Sequence, residues 1–189
     1  MRFEEHSSET VCRALGLFGF ANDPLLLQPK RSLRMLIQPA REPEMCLTLS
    51  AEGRQARLAM VVARARLFDR PGANVPKDRA TCLIDPARFE SICELVKTAA
   101  SAVKTRDVPE SRVKVHVLLT ENGKRIDLEE GLHANSPLKP AVQAAIADAS
   151  DACPDPACRQ ALSVLSELLA GELPRHAPTR STPANSWSR

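Results

Sequence analysis

Between Arg112 and Glu130 the apolar and polar positions alternate with a period of two. Val113, Val115, Val117 and Leu119 share one side, Lys114 and His116 the other. After Asn122-Gly123 the alternation resumes with Ile126 and Leu128 against Arg125 and Asp127. An Asn-Gly pair between two such runs predicts a β-hairpin with a two-residue turn. That turn fixes the register: Leu119 faces Ile126 and Val117 faces Leu128 on the buried side, and His116 faces Glu129 on the other.

Elsewhere the period changes to that of a helix, and three starts are marked by a capping residue followed by proline. After Asp85-Pro86 the residues Phe89, Ile92, Cys93, Val96, Ala100 and Val103 recur at steps of three and four. After Ser136-Pro137 the stripe is Leu138, Ala141, Val142, Ala145, Ile146 and Ala149. After Asp155-Pro156 it is Cys158, Ala161, Leu162, Leu165, Leu168 and Leu169, with Gly171 at the stop. The short Cys153-Pro-Asp-Pro segment between the last two makes them an antiparallel pair.

The region before Asp85 reads as strands. Leu33, Met35 and Ile37 alternate with Arg34 and Leu36, Leu47 and Leu49 flank Thr48, and a turn at Ala51-Glu52-Gly53 leads into residues 56–68. Leu58, Met60 and Val62 in that run suit a strand, although its alanines and arginines also suit a helix; the preceding turn favours strand. As a strand it carries Arg64 and Arg66 on the face of Leu58, Met60 and Val62. Residues 69–81 hold Pro71, Gly72, Asn74 and Pro76 and read as a long exposed loop.

The predicted fold class is therefore α+β: one antiparallel sheet of about five strands, a three-stranded meander plus a hairpin, packed by helices on one face. The chain divides into an N-terminal segment 1–30, with a helix from Ser8 to Phe18 that turns Val11, Leu15 and Phe18 inward, an α+β domain 31–172, and a proline- and serine-rich tail 173–189 expected to be disordered. At 189 residues such a chain can bury roughly 70% of its unfolded surface, so a core forms without metals or cross-links.

Composition narrows the chemistry. Five Phe, one Trp and no Tyr leave few stacking platforms, and the net charge is only +3. Both disfavour a nucleic-acid partner. Residues 31–80 nevertheless carry ten basic against five acidic residues. Arg64, Arg66, Arg70, Lys77 and Arg79 are thereby candidates for a cationic rim that steers an acidic partner protein; the plainer reading is a solvated face without a ligand. The acidic start Met1-Arg-Phe-Glu-Glu does not resemble a secretory leader, and no apolar stretch is uninterrupted enough to span a bilayer, so a cytoplasmic protein is expected.

Six cysteines in such a setting read as reduced thiols. Cys153 and Cys158 alone have a telling spacing. They are candidates for a disulfide, and a metal or redox role lacks further ligands nearby. No glycine-rich phosphate loop, nucleophile elbow or paired-histidine zinc motif occurs. His116 with Glu129, and Asp127 next along the same face, is half of an acid–base device; an exposed cross-strand ion pair is the commoner use of that pattern. His133 reads as a residue leading into a helix.

The sequence thus predicts a bacterial protein without catalytic residues, cofactor or metal. It would bind a partner protein, or a second copy of itself, through its sheet and the 69–81 loop, in the manner of an immunity protein, an inhibitor or a secretion chaperone. A small hydrolase built on His116 and Glu129, or a weak nucleic-acid module, is the alternative. The element order is loosely similar to that of type III secretion chaperones, which are shorter and acidic and share no motif with this chain. The likeness is one of fold level, and fold does not fix function.

Overall fold

In the computed structural model, residues 7–23, 26, 30–69, 74–102 and 111–171 are described. A short helix α1 (Ser8–Ala14) precedes a four-stranded meander of β1 (Arg31–Pro39), β2 (Met45–Glu52), β3 (Gln55–Ala63) and β4 (Lys77–Ile84). Helix α2 (Pro86–Ala102), the hairpin of β5 (Val113–Glu121) and β6 (Lys124–Gly131), and the pair α3 (Lys139–Ala152) and α4 (Pro156–Ala170) follow. The six strands form one antiparallel sheet in the order β4-β3-β2-β1-β5-β6.

The predicted three-stranded meander is therefore four-stranded. Lys77–Ile84, expected to lie in the 69–81 loop and the approach to α2, pairs with β3 from Ala56↔Ile84 to Ala63↔Lys77. Ala80 and Ile84 are buried on the helix-facing side, so a period-two pattern was present but masked by the turn residues just before it. β3 in turn stops at Ala63, leaving Arg64 and Arg66 beyond its end.

The two faces of the sheet read as rows across the strands. One row, Ala80, Met60, Leu47, Met35, Val117 and Leu128, lies under α2, α3 and α4. Helix α2 contributes Phe89, Ile92, Cys93 and Val96, and α4 contributes Cys158, Leu162 and Leu165. The hairpin has the predicted register, and its turn sits at Asn122 (φ 49°) and Gly123 (φ 78°), the left-handed pair that a type I′ turn requires. Asp85 caps α2 and Asp155 caps α4, each accepting a backbone N–H. Helix α3 starts later than Ser136-Pro137 predicts. Ser136 lies in a turn, fully buried Leu138 holds the cap position, and Pro140 occupies the first turn, where its missing N–H costs nothing.

The opposite face is not bare. Its central row is Arg79, Val61, Cys46, Leu36, His116 and Glu129, and α1 lays Val11, Cys12 and Leu15 over the apolar middle of it. The helix ends four residues earlier than its pattern suggests because Gly16 takes φ 75°. Phe18 is consequently 78% exposed rather than turned inward. The segment after α1 is held down by Arg34 of β1, a fully buried arginine. Its Nη2 donates to Asp23 at 2.5 Å, Nη1 to the Gly19 carbonyl at 2.5 Å, and Nε to Thr48 Oγ1 at 3.2 Å. The tail 173–189 lies outside the described residues.

Candidate functional site

The described residues predicted to make a cationic rim do not present a free cluster of charge, because each is engaged by an acceptor of the protein itself. Arg64 forks onto Asp78 at 2.6–3.0 Å, with the Asp155 carboxylate close enough to help hold its charge. Arg66 pairs with Asp69 at 3.0 Å, and Lys77 reaches the Asn74 side-chain oxygen at 3.2 Å. Arg79, on the same face of β4 as Lys77 and the opposite face from Asp78, donates to the Leu15 and Gly16 carbonyls at the end of α1, a favourable place for a cation. Arg70 lies outside the described residues. The local charge excess is real, but internal acceptors engage each of the four described members. Glu44, buried beneath this corner, accepts the Leu67 N–H at 2.9 Å, and burial raises its carboxyl above the ordinary range.

The polar groups that do converge lie at the N-terminal end of α1. The backbone sets His116 opposite Glu129 as predicted, yet the imidazole chooses a different carboxylate. Nε2 meets Asp127 Oδ1 at 2.5 Å, one row along β6, and Glu129 turns to Lys114 at 3.0 Å. Diagonal neighbours of this kind lie within reach of long side chains on a twisted ladder. On the other ring edge Nδ1 meets Ser8 Oγ at 2.7 Å. With Nε2–H donating to Asp127, a neutral ring accepts the Ser8 hydroxyl proton at Nδ1. Arg125 donates to the second Asp127 oxygen at 2.5 Å, and the Phe20 ring packs on the imidazole with centroids 3.9 Å apart. Burial acts to raise the Asp127 carboxyl, but the hydrogen bonds from His116 and Arg125 outweigh it and hold the group below its usual value.

These groups line a cleft of about 420 Å³ that also takes in Glu9 and Ala21. A second cleft of about 440 Å³ shares Ala21 and Arg125 with it and continues over Leu26, Leu118, Lys30 and Thr120. The Ser8–His116–Asp127 chain was half visible in the sequence. His116 and the β6 carboxylates follow from the hairpin register, whereas Ser8 joins them across 108 positions, and no spacing rule announces it.

Cys153 and Cys158, the candidate disulfide pair, are both free thiols, as are the other four cysteines. Burial and the Asp155 carboxylate push the Cys158 thiol up to about 12. Cys12 and Cys46 meet beneath α1, where their mutual hydrogen bond and burial raise the Cys12 thiol. His133 takes a turn position, its Nδ1 accepting the Asn135 N–H at 3.3 Å. Among the described residues no cluster of three His, Cys, Asp or Glu side chains could hold a metal ion, and no helix is long and apolar enough to cross a membrane. No protein-family model matches the chain, and no curated protein matches it in sequence.

Proposed function

We propose that the chain acts by binding another protein, taking an extended segment of it along the outer edge of β4 and onto the quadrant of sheet beside it. The observation that carries this reading is Leu83, 60% exposed on an edge strand. Around it α1 and the segment after it leave the sheet uncovered: Thr81 and Arg57 are exposed, and Ala59 and Ser50 half-exposed. An edge strand offers a row of main-chain donors and acceptors to an incoming strand, and alternate side chains supply the selectivity.

The earlier expectation of docking through a 69–81 loop is replaced by docking on the strand that most of that loop's second half forms. Arg57, directly opposite Leu83, has no carboxylate partner among the described residues, which favours a segment that mixes apolar and acidic residues. The predicted roles of Arg64, Arg66, Lys77 and Arg79 as contact residues are weakened by their internal partners. An immunity, inhibitor or secretion-chaperone role would each be served by such a surface.

The test is selection from a display library of extended peptides, with the whole protein as bait, comparing the native chain with Leu83→Lys. Apolar-acidic segments that bind the native protein, lose at least tenfold affinity to the variant and protect β4 amides from hydrogen exchange would support the proposal. Failure to select any segment, or selected segments indifferent to Leu83, would refute it.

A further inference from the structure

The chain of hydrogen bonds from Ser8 through His116 to Asp127 has the connectivity of an activated nucleophile: hydroxyl, imidazole, carboxylate, in line and in a cleft. We propose that Ser8 is a reactive nucleophile and that this cleft hydrolyses short-chain carboxylic esters, an activity separate from docking on β4. The parts are supplied by three elements: the first turn of α1, β5 and β6. The ring nitrogens exchange their customary places, Nδ1 serving the hydroxyl and Nε2 the carboxylate. That exchange leaves the proton chemistry intact, because either nitrogen of a neutral imidazole can be the base while the other donates.

In the acylation step Ser8 Oγ forms a bond to the carbonyl carbon of the ester, and its proton passes to His116 Nδ1. The bond to the leaving alcohol breaks, and the alcohol departs with that same proton. Water then attacks the acyl-serine, gives its proton to Nδ1, and releases the carboxylic acid as Ser8 regains its hydrogen. Asp127 stays ionised throughout and steadies the imidazolium. Arg125, fixed on its outer oxygen, keeps the carboxylate oriented. Phe20 on the ring face restricts imidazole rotation. The adjoining cleft of about 440 Å³ has room for a short acyl chain.

The decisive experiment treats the full native chain with a fluorophosphonate probe near neutral pH, followed by intact mass and peptide mapping. One adduct per chain, located on Ser8, is expected, with turnover of p-nitrophenyl butyrate that the probe abolishes. The labelling rate should rise with pH through a single ionisation and fall at least about a hundredfold in His116→Gln, the range that loss of a general base gives. A folded native chain that takes no label, an adduct on Ser7 or elsewhere, or labelling indifferent to His116→Gln would overturn the proposal. Circular dichroism of each variant separates chemistry from unfolding, and the map on the native chain decides the matter even if a variant fails to fold.

Discussion

Replacing Asp23 by alanine tests whether the face of the sheet opposite the three large helices is held by one buried ion pair. Arg34 and Asp23 are 0% and 1% exposed. In Asp23→Ala the guanidinium keeps the Gly19 and Phe20 carbonyls and the Thr48 hydroxyl as acceptors but loses the buried carboxylate that balances its charge. Removing one member of a buried pair typically costs about 3–5 kcal/mol, because the remaining charge stays desolvated. Against a total stability of about 5–15 kcal/mol that is a large fraction. For a chain of this size it corresponds to a fall in thermal midpoint of roughly 6–20 °C. Urea unfolding would measure it. The protein has one way to limit the loss, which is to release residues 16–23 from β1 and rehydrate Arg34 without unfolding the sheet. Hydrogen exchange at α1 amides detects that escape as lost protection. The paired change Arg34→Met with Asp23→Leu removes both charges and should recover most of the stability, since buried pairs often do no better than apolar replacements. A single Asp23→Ala variant within about 1 kcal/mol of the native protein, with α1 protection unaltered, would refute the reasoning.

Two further outcomes are expected. The Asp155 carboxyl is held below its ordinary value by the Cys158 N–H it accepts, so its contribution is present above pH 3.8 and is lost as pH falls through the depressed value. Thermal melts of Asp155→Ala should therefore lie below those of the native chain at neutral pH and converge with them in acid. A gap that persists in acid would show that capping is not its cause. For the cysteines, an Ellman titration without reductant should find six thiols in denaturant. In the native state half-exposed Cys82 should react first, ahead of Cys93 and Cys158, whose thiols burial raises to about 12; fewer than six in denaturant would reveal a disulfide.

Periodicity alone determined the hairpin, its turn and its register, because an Asn-Gly turn admits one pairing and each residue step flips a side chain to the other face. It also determined α2 and α4, whose caps and prolines are local signals, and the helix-facing rows of β1, β2 and β3. Local signals failed where the partner was distant. β4 looked like loop because Pro71, Gly72, Asn74 and Pro76 precede it, and only pairing with β3 reveals Lys77–Ile84 as strand. The basic residues were near one another in sequence, but among the described ones Arg64 follows Asp78, Arg66 turns back to Asp69, and Lys77 and Arg79, on the opposite face of β4 from Asp78, take acceptors of their own. Arg34 read in the sequence as no more than a polar alternate to Leu33 and Met35, yet it is fully buried. What it answers to, Asp23 and two carbonyls brought in by the chain after α1, exists only once that segment folds back over the sheet. The same folding back sets Ser8 beside His116. Tertiary structure decided the candidate chemistry because side chains on separate elements acquire a common cleft only when the elements pack.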